Sequence, residues 1–431
     1  MHRDCALSRR EFLSWAVAAS AASSLSPRLK AQVTPPRSRR FEVAAPLYAW
    51  HLHDEGVERI LDNLQGLAAV NSVYLIGLMH PERRPFREGT YPHNPVRKTW
   101  QVEDARCYWH PDTKLYGRIK PRLSGYDWLN QTDWLRELVA AARKRGLKTG
   151  VEFSHSLLDG ERMGREFADL AQRNLHGRVS PEGLIKWLHP PCPNHPATVE
   201  YAVALAADAA ANYDVDFVQS CIMNFDSASP ELGGGCFCDH CKAAAKATGL
   251  DLGWVQNVLL SDAKNERALG EWVAFRNASN ARFYQKLHET LCRLKPAVDL
   301  RFNAASRSYA LYGVSLSLLL PHVDSMRLTY YAEQEGDPSL MNGKRKWLAG
   351  VRKQLGGTVP LIAALGVRLE ATPELIREGV TVAVETGMNG ITAGHYDGAT
   401  FEMLHAVREG LVAAGIPLQR RKGWTASPDD R

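Results

Sequence analysis

No glycine-rich turn follows the first apolar segment of the chain, residues 41–51, so neither dinucleotide nor phosphate fingerprint is present where a doubly wound sheet would carry it. Basic residues never gather into a long run. The densest stretches are Lys344-Arg345-Lys346 and Arg420-Arg421-Lys422, which read as solvated faces or tails and give no nucleic-acid surface. Apolar runs of membrane-spanning length are also missing: FLSWAVAA, residues 12–19, is short and grades into Ala and Ser, so no stable transmembrane segment is expected in the mature protein. What remains is a chain of 431 residues, 45% apolar and 23% charged, with enough length to bury a large core.

The first 31 residues form a unit of their own, with a basic start, an apolar centre and no acid between Trp15 and Ala31. Ser8-Arg9-Arg10-Glu11-Phe12-Leu13 resembles the bacterial twin-arginine signal, which implies export of a folded protein by that machinery to the periplasm or beyond. Five basic and two acidic residues leave with this leader, so about half of the formal charge of +6 goes with it. Residues 32–40 read as a linker and 416–431 as a tail.

Between them, over 41–415, strand and helix patterns alternate. Strands are expected at 41–51, 72–79, 147–153, 216–223, 299–303, 325–331, 359–365 and 390–393. Helices are expected at 57–70, 134–145, 196–213, 266–296, 373–385 and 400–413. Eight such units predict an α/β fold, a (β/α)8 TIM barrel, with a long aromatic-rich insertion after strand 2 (80–130) and a cysteine-rich loop after strand 4. Such barrels carry their chemistry on the loops after the strands, which makes an enzyme the first reading.

The strand ends supply the candidates. Strand 3 ends with Glu152, which alternation can aim into the barrel or leave in the layer beneath the site, held by a buried base. Strand 4 ends in Asn224-Phe225-Asp226, and Asp226 is the expected general acid. Strand 6 leads through Tyr330 and Tyr331 to Glu333, the expected second carboxylate of a two-carboxylate glycosidase. Trp50, His51 and His53 after strand 1, His80 after strand 2, and His395, Tyr396 and Asp397 after strand 8 are expected to bind substrate. His51, His53, His395 and Asp397 also resemble part of the amidohydrolase metal pattern. That pattern needs histidines after strands 5 and 6, and residues 300–306 and 326–331 have none, so no catalytic cofactor is expected.

Cys236, Cys238 and Cys241 lie within six residues, a spacing that suits thiolates around a structural zinc, with Cys192, Cys107 or His240 as fourth ligand. Packed thiols, or one disulfide and a free thiol, are the alternatives.

Tyr213-Asp214-Val215-Asp216, the following Cys-x-Cys-x-x-Cys and Trp272-x-x-Phe275-Arg276 resemble bacterial glycoside hydrolases of the large (β/α)8 clan, especially its cysteine-cluster beta-galactosidases. The resemblance implies a glycosidase barrel, a carbohydrate substrate, a structural zinc, and catalytic glutamates after strands 4 and 7. This chain departs from it with Asp226 where the clan has Glu, and with no acid in 361–369. Two alternatives to hydrolysis follow: a non-hydrolytic carbohydrate-binding barrel, stacking sugars on Trp100, Tyr108, Trp109, Tyr116 and Trp128, or a lyase or epimerase using His395 or Tyr396.

Overall fold

A computed structural model describes residues 40–79, 91–100, 103, 105–153, 158, 162, 165–179, 191–220, 225, 236–306 and 313–418. The expected leader, most of the linker, His80, Asn224 and Asp226 lie outside these residues.

Eight parallel strands close into a barrel: β1 (Glu42–Leu47), β2 (Ser72–Met79), β3 (Lys148–Phe153), β4 (Phe217–Ser220), β5 (Asp299–Ala305), β6 (Ser325–Thr329), β7 (Leu361–Gly366) and β8 (Gly390–Gly394). The cylinder shuts where β1 pairs with β8, Glu42 opposite Gly390, and with β2, Ala44 opposite Ser72. Burial on both faces explains why β2 and β7 are apolar almost throughout.

Local chemistry sets the helix ends. Thr372 accepts from the Leu375 amide and Pro373 occupies the first turn of Pro373–Glu385, while Thr400 caps Phe401–Ala413 in the same way. Asp133 caps Trp134–Lys144. Inside the barrel, Gly150 is needed because a Cβ there would meet the Phe217 ring at 2.4 Å. Among the described residues no helix is long and apolar enough to cross a membrane.

Two differences from the sequence expectations matter for the site. The first strand stops at Leu47, and Ala49–Glu55 is a short helix in which His51 and Glu55 pair at the i, i+4 spacing. The sixth strand stops at Thr329, and the chain turns into a 3-10 helix at Glu333–Glu335, so strand alternation no longer governs Glu333.

The middle of the insertion is tied down at two places. Arg106–Cys107 pairs antiparallel with the end of β2. Asp208, fully buried on Pro196–Asn212, accepts from the Trp109 indole, the Tyr116 hydroxyl and the Asp112 amide. Trp109 and Tyr116 are therefore anchors of the insertion rather than sugar platforms.

Candidate active site

Alternation along each strand decides what enters the barrel. At its N-terminal end Glu42, Lys148, Asp299 and Arg301 form an ion-paired ring: Arg301 donates to both Glu42 oxygens at 2.9 and 3.1 Å and to Ser325 at 3.1 Å. Lys148 lies 3.3 Å from both Glu42 and Asp299. The same parity, two to four residues on, brings Glu152 from β3, Gln219 from β4, Asn303 from β5 and Arg327 from β6 into the lumen.

Glu152 is buried and accepts from the Gln219 amide. Arg327, also buried, donates to Asn303 at 3.2 Å and to the Tyr331 hydroxyl, while Thr329 donates to Asn303 at 2.6 Å. Burial opposes the Arg327 charge, but Tyr331, Tyr74 and Glu152 around it raise its pKa above the ordinary value. Glu152 is thus aimed into the barrel, with the buried Arg327 beside it. Above this layer Tyr48 and His395 meet, hydroxyl to Nδ1, at 2.9 Å, and the Tyr331 ring lies 6.0 Å from His395. The described mouth is thus built from Tyr48, Glu152, Gln219, Asn303, Arg327, Thr329, Tyr331 and His395.

Several expected site residues lie elsewhere. Glu333 is a correction: it is fully buried between strand and helix layers, paired with Lys344 and accepting from the Gly366 amide at 3.1 Å. Lys344 spends a second donor on the Ala364 carbonyl at 2.8 Å. A carboxylate fixed behind the wall in this way has no path to a substrate at the mouth. Tyr330 turns outward against Trp347. Tyr396 points away from the lumen, donating to Glu55 at 2.9 Å and accepting from Asn63 at 3.1 Å. Asp397 is buried, and among the described residues neither of its carboxylate oxygens has a hydrogen-bond partner.

His51 is buried on Glu55 at 3.1 Å, and Trp50 is buried between Tyr48 and Trp100. His53 stays partly exposed, 4.5 Å from the Trp128 ring centre. Glu55 is the hub of this region, taking hydrogen bonds from His51, His93 and Tyr396. Tyr48, Gln219, Asn303, Arg327 and Thr329 had no place among the sequence candidates. The signal for them was parity with the neighbouring inward residues, which is readable once strand ends are known.

The cysteine site forms as its spacing suggests. Cys192, Cys236, Cys238 and Cys241 are all buried, with their sulfurs within 4.8 Å of one another, and of the three candidates for fourth ligand it is Cys192 that completes the group. Cys192 lies 3.5 Å from Cys238 and 3.4 Å from Cys241, far beyond a disulfide bond and close to the ~3.8 Å edge of a tetrahedron with 2.3 Å metal–sulfur bonds. The Asn194 amide donates to Cys241 sulfur at 3.3 Å, as expected around thiolates. Four such cysteines could bind a metal. They sit in a separate small core with Phe225, Phe237, Trp272 and Phe275, on helices Asp239–Lys246 and Glu266–Leu294 and the segments beside them.

No family model matches the chain. No curated protein sequence matches it either. Solved structures do resemble it in fold. An alpha-L-fucosidase, isoenzyme 2, from Paenibacillus thiaminolyticus aligns with a TM-score of 0.55 at 15% identity, over 88% of this chain and 50% of the fucosidase. A beta-galactosidase from Bacillus circulans sp. alkalophilus gives 0.56 at 13%, over 86% and 55%. The beta-galactosidase of the haloarchaeon Halorubrum lacusprofundi gives 0.54 at 13%, over 86% and 57%. The chain spans little more than half the length of these proteins, and at such identities it shares with them the closed (β/α)8 barrel.

Proposed function

We propose that this protein hydrolyses a glycosidic bond at the C-terminal mouth of its barrel. The observation that carries the reading is the polar lumen layer: one buried carboxylate, Glu152, accepts from Gln219 of β4 and shares the layer with Asn303 of β5 and Arg327 and Thr329 of β6. Similar barrels in the fucosidase and beta-galactosidases support it. Asp226, in the segment after β4, acts as proton donor, and Glu152 takes the place of Glu333 as its partner. A structural zinc at the four cysteines holds residues 236–241 against Cys192; a closed four-thiolate site leaves no position for substrate.

Turnover of a panel of aryl and natural glycosides tests this. Asp226→Asn and Glu152→Gln should each lose about 100-fold or more in kcat/KM while melting like the parent protein. Full activity in both variants would remove the assignment. Sugar binding without turnover in the parent would favour the non-hydrolytic reading, which gains support from the aromatic groups beside the mouth.

A further inference from the structure

Arg301 and Arg327 both enter the lumen, and only the first is neutralised where it stands. At the N-terminal end Arg301 gives two guanidinium N–H groups to the oxygens of Glu42 and a third to Ser325. Arg327, one strand on and at the mouth, is 3% exposed, and among the described residues no carboxylate hydrogen-bonds it. Its bonds go to two neutral oxygens, Asn303 Oδ1 at 3.2 Å and the Tyr331 hydroxyl, and its Nε has no partner among the described residues. Glu152 acts on it only through space across the layer, taking its own hydrogen bond from Gln219. A guanidinium out of water is costly unless an anion is paired with it, a condition met at the bottom of the barrel and not by the described residues at the mouth.

The groups around Arg327 are donors as well. Asn303 Oδ1 accepts from Arg327 and from Thr329, which fixes the amide with its NH2 turned away from both. The Tyr331 hydroxyl accepts from the guanidinium, so its own proton is left to donate. Asn303 and Tyr331 are half-buried, so the guanidinium lies one layer beneath the opening. Gly394 adds no side chain beside it: the position a Cβ would take there lies 3.8 Å from Arg327 Nη2 and 3.7 Å from the Tyr331 hydroxyl. This part of the mouth is therefore rich in donors, carries a positive charge and has space next to it.

We infer that Arg327 receives a carboxylate of the substrate, so the sugar held at the mouth is a uronic acid. The inference rests on the hydrolytic reading above and adds the charge of the substrate to it. A planar carboxylate matches the guanidinium fork and accepts from the Asn303 amide and the Tyr331 hydroxyl as well. A neutral sugar offers hydroxyls alone and leaves the buried charge unmatched.

The test sets aryl uronides against the matching neutral glycosides on the intact protein: glucuronide against glucoside and galacturonide against galactoside, in both anomers. For the parent, kcat/KM should be about 100-fold higher on a uronide than on its neutral counterpart. Arg327→Met should bring that ratio close to one, and Arg327→Lys, which keeps the charge and loses the fork, should leave it between the two. Because the ratio is read within each variant, a loss common to both substrates cancels. A parent that prefers neutral glycosides, or an unchanged ratio in Arg327→Met, overturns the inference and leaves hydrolysis standing. Preference for a galactoside 6-sulfate over the galacturonide overturns the carboxylate. Should Arg327→Met not fold, or should no glycoside be turned over, the melting temperature of the parent with free sugars decides. A rise with glucuronate or galacturonate that glucose and galactose do not give keeps the acidic-sugar site, even where hydrolysis falls. Equal effects of acidic and neutral sugars overturn the site, and in a protein without turnover no effect of any sugar ends both ideas.

Discussion

Glu55 shows how one side chain can organise a region without taking part in its chemistry. Burial alone would raise its carboxyl, but hydrogen bonds from His51 and His93 outweigh that and hold it at about 2, against an ordinary 4.5. A native value below the unfolded one adds stability that is complete above about pH 4.5 and is lost as the pH falls towards about 2. Glu55→Gln should therefore make the acid limb of the stability curve shallower by on the order of 2–3 kcal/mol, read from urea midpoints across that window. An unchanged slope would show that the network does not keep Glu55 ionised. Glu42, held at about 2 by Arg301 and Lys148 against its burial, supplies a second share of the same limb and is untouched by the substitution. Residue types near the strand ends were visible in the sequence, but their directions were not. Glu333 and Tyr331 share strand parity, yet one stands behind the wall and the other at the mouth, because the chain leaves strand geometry after Thr329.

Among the elements, those with strong local signals were legible almost to the residue. Ser72–Met79 and Pro373–Glu385 have the expected bounds, one from a continuous apolar run and the other from its threonine cap and first-turn proline. The helix Ser339–Leu355 was not, since its buried face includes Lys344, which reads as a surface residue until Glu333 is seen beside it. Residues 49–51 were expected as the end of the first strand but open the short helix Ala49–Glu55, since so short an apolar run does not separate strand from helix. The cysteine site was legible because its chemistry lies in spacing, and only the distant Cys192 needed the fold. With zinc there, the purified protein should hold about one metal per chain, and chelation or Cys241→Ser should lower its melting temperature by on the order of 10 °C. A metal-free protein with unchanged melting would identify four packed thiols instead.

At the scale of the whole molecule the two ends of the barrel have different work. Arg301 belongs to the N-terminal ring, and its loss removes the guanidinium that pairs both oxygens of the half-buried Glu42. Arg301→Met should cost about 3–5 kcal/mol of stability, measured by denaturant unfolding, and leave kcat/KM unaltered in the folded fraction. A fall in kcat/KM at full folding would show that the ring is coupled to the mouth. The alternation of strands and helices made the barrel readable from the chain. The assembly of its mouth was not, because it depends on eight strand ends that come together only when the first strand meets the last.

That meeting point has a mechanical consequence. Glu55 follows β1 and Tyr396 follows β8, 341 positions apart, and His93 of the insertion joins both, bonding the Glu55 carboxylate and the Tyr396 carbonyl at 2.9 Å each. A force that separated β1 from β8 would load the short ladder between them together with this three-segment clasp. The same contacts that shut the cylinder therefore set the force at which it would tear open.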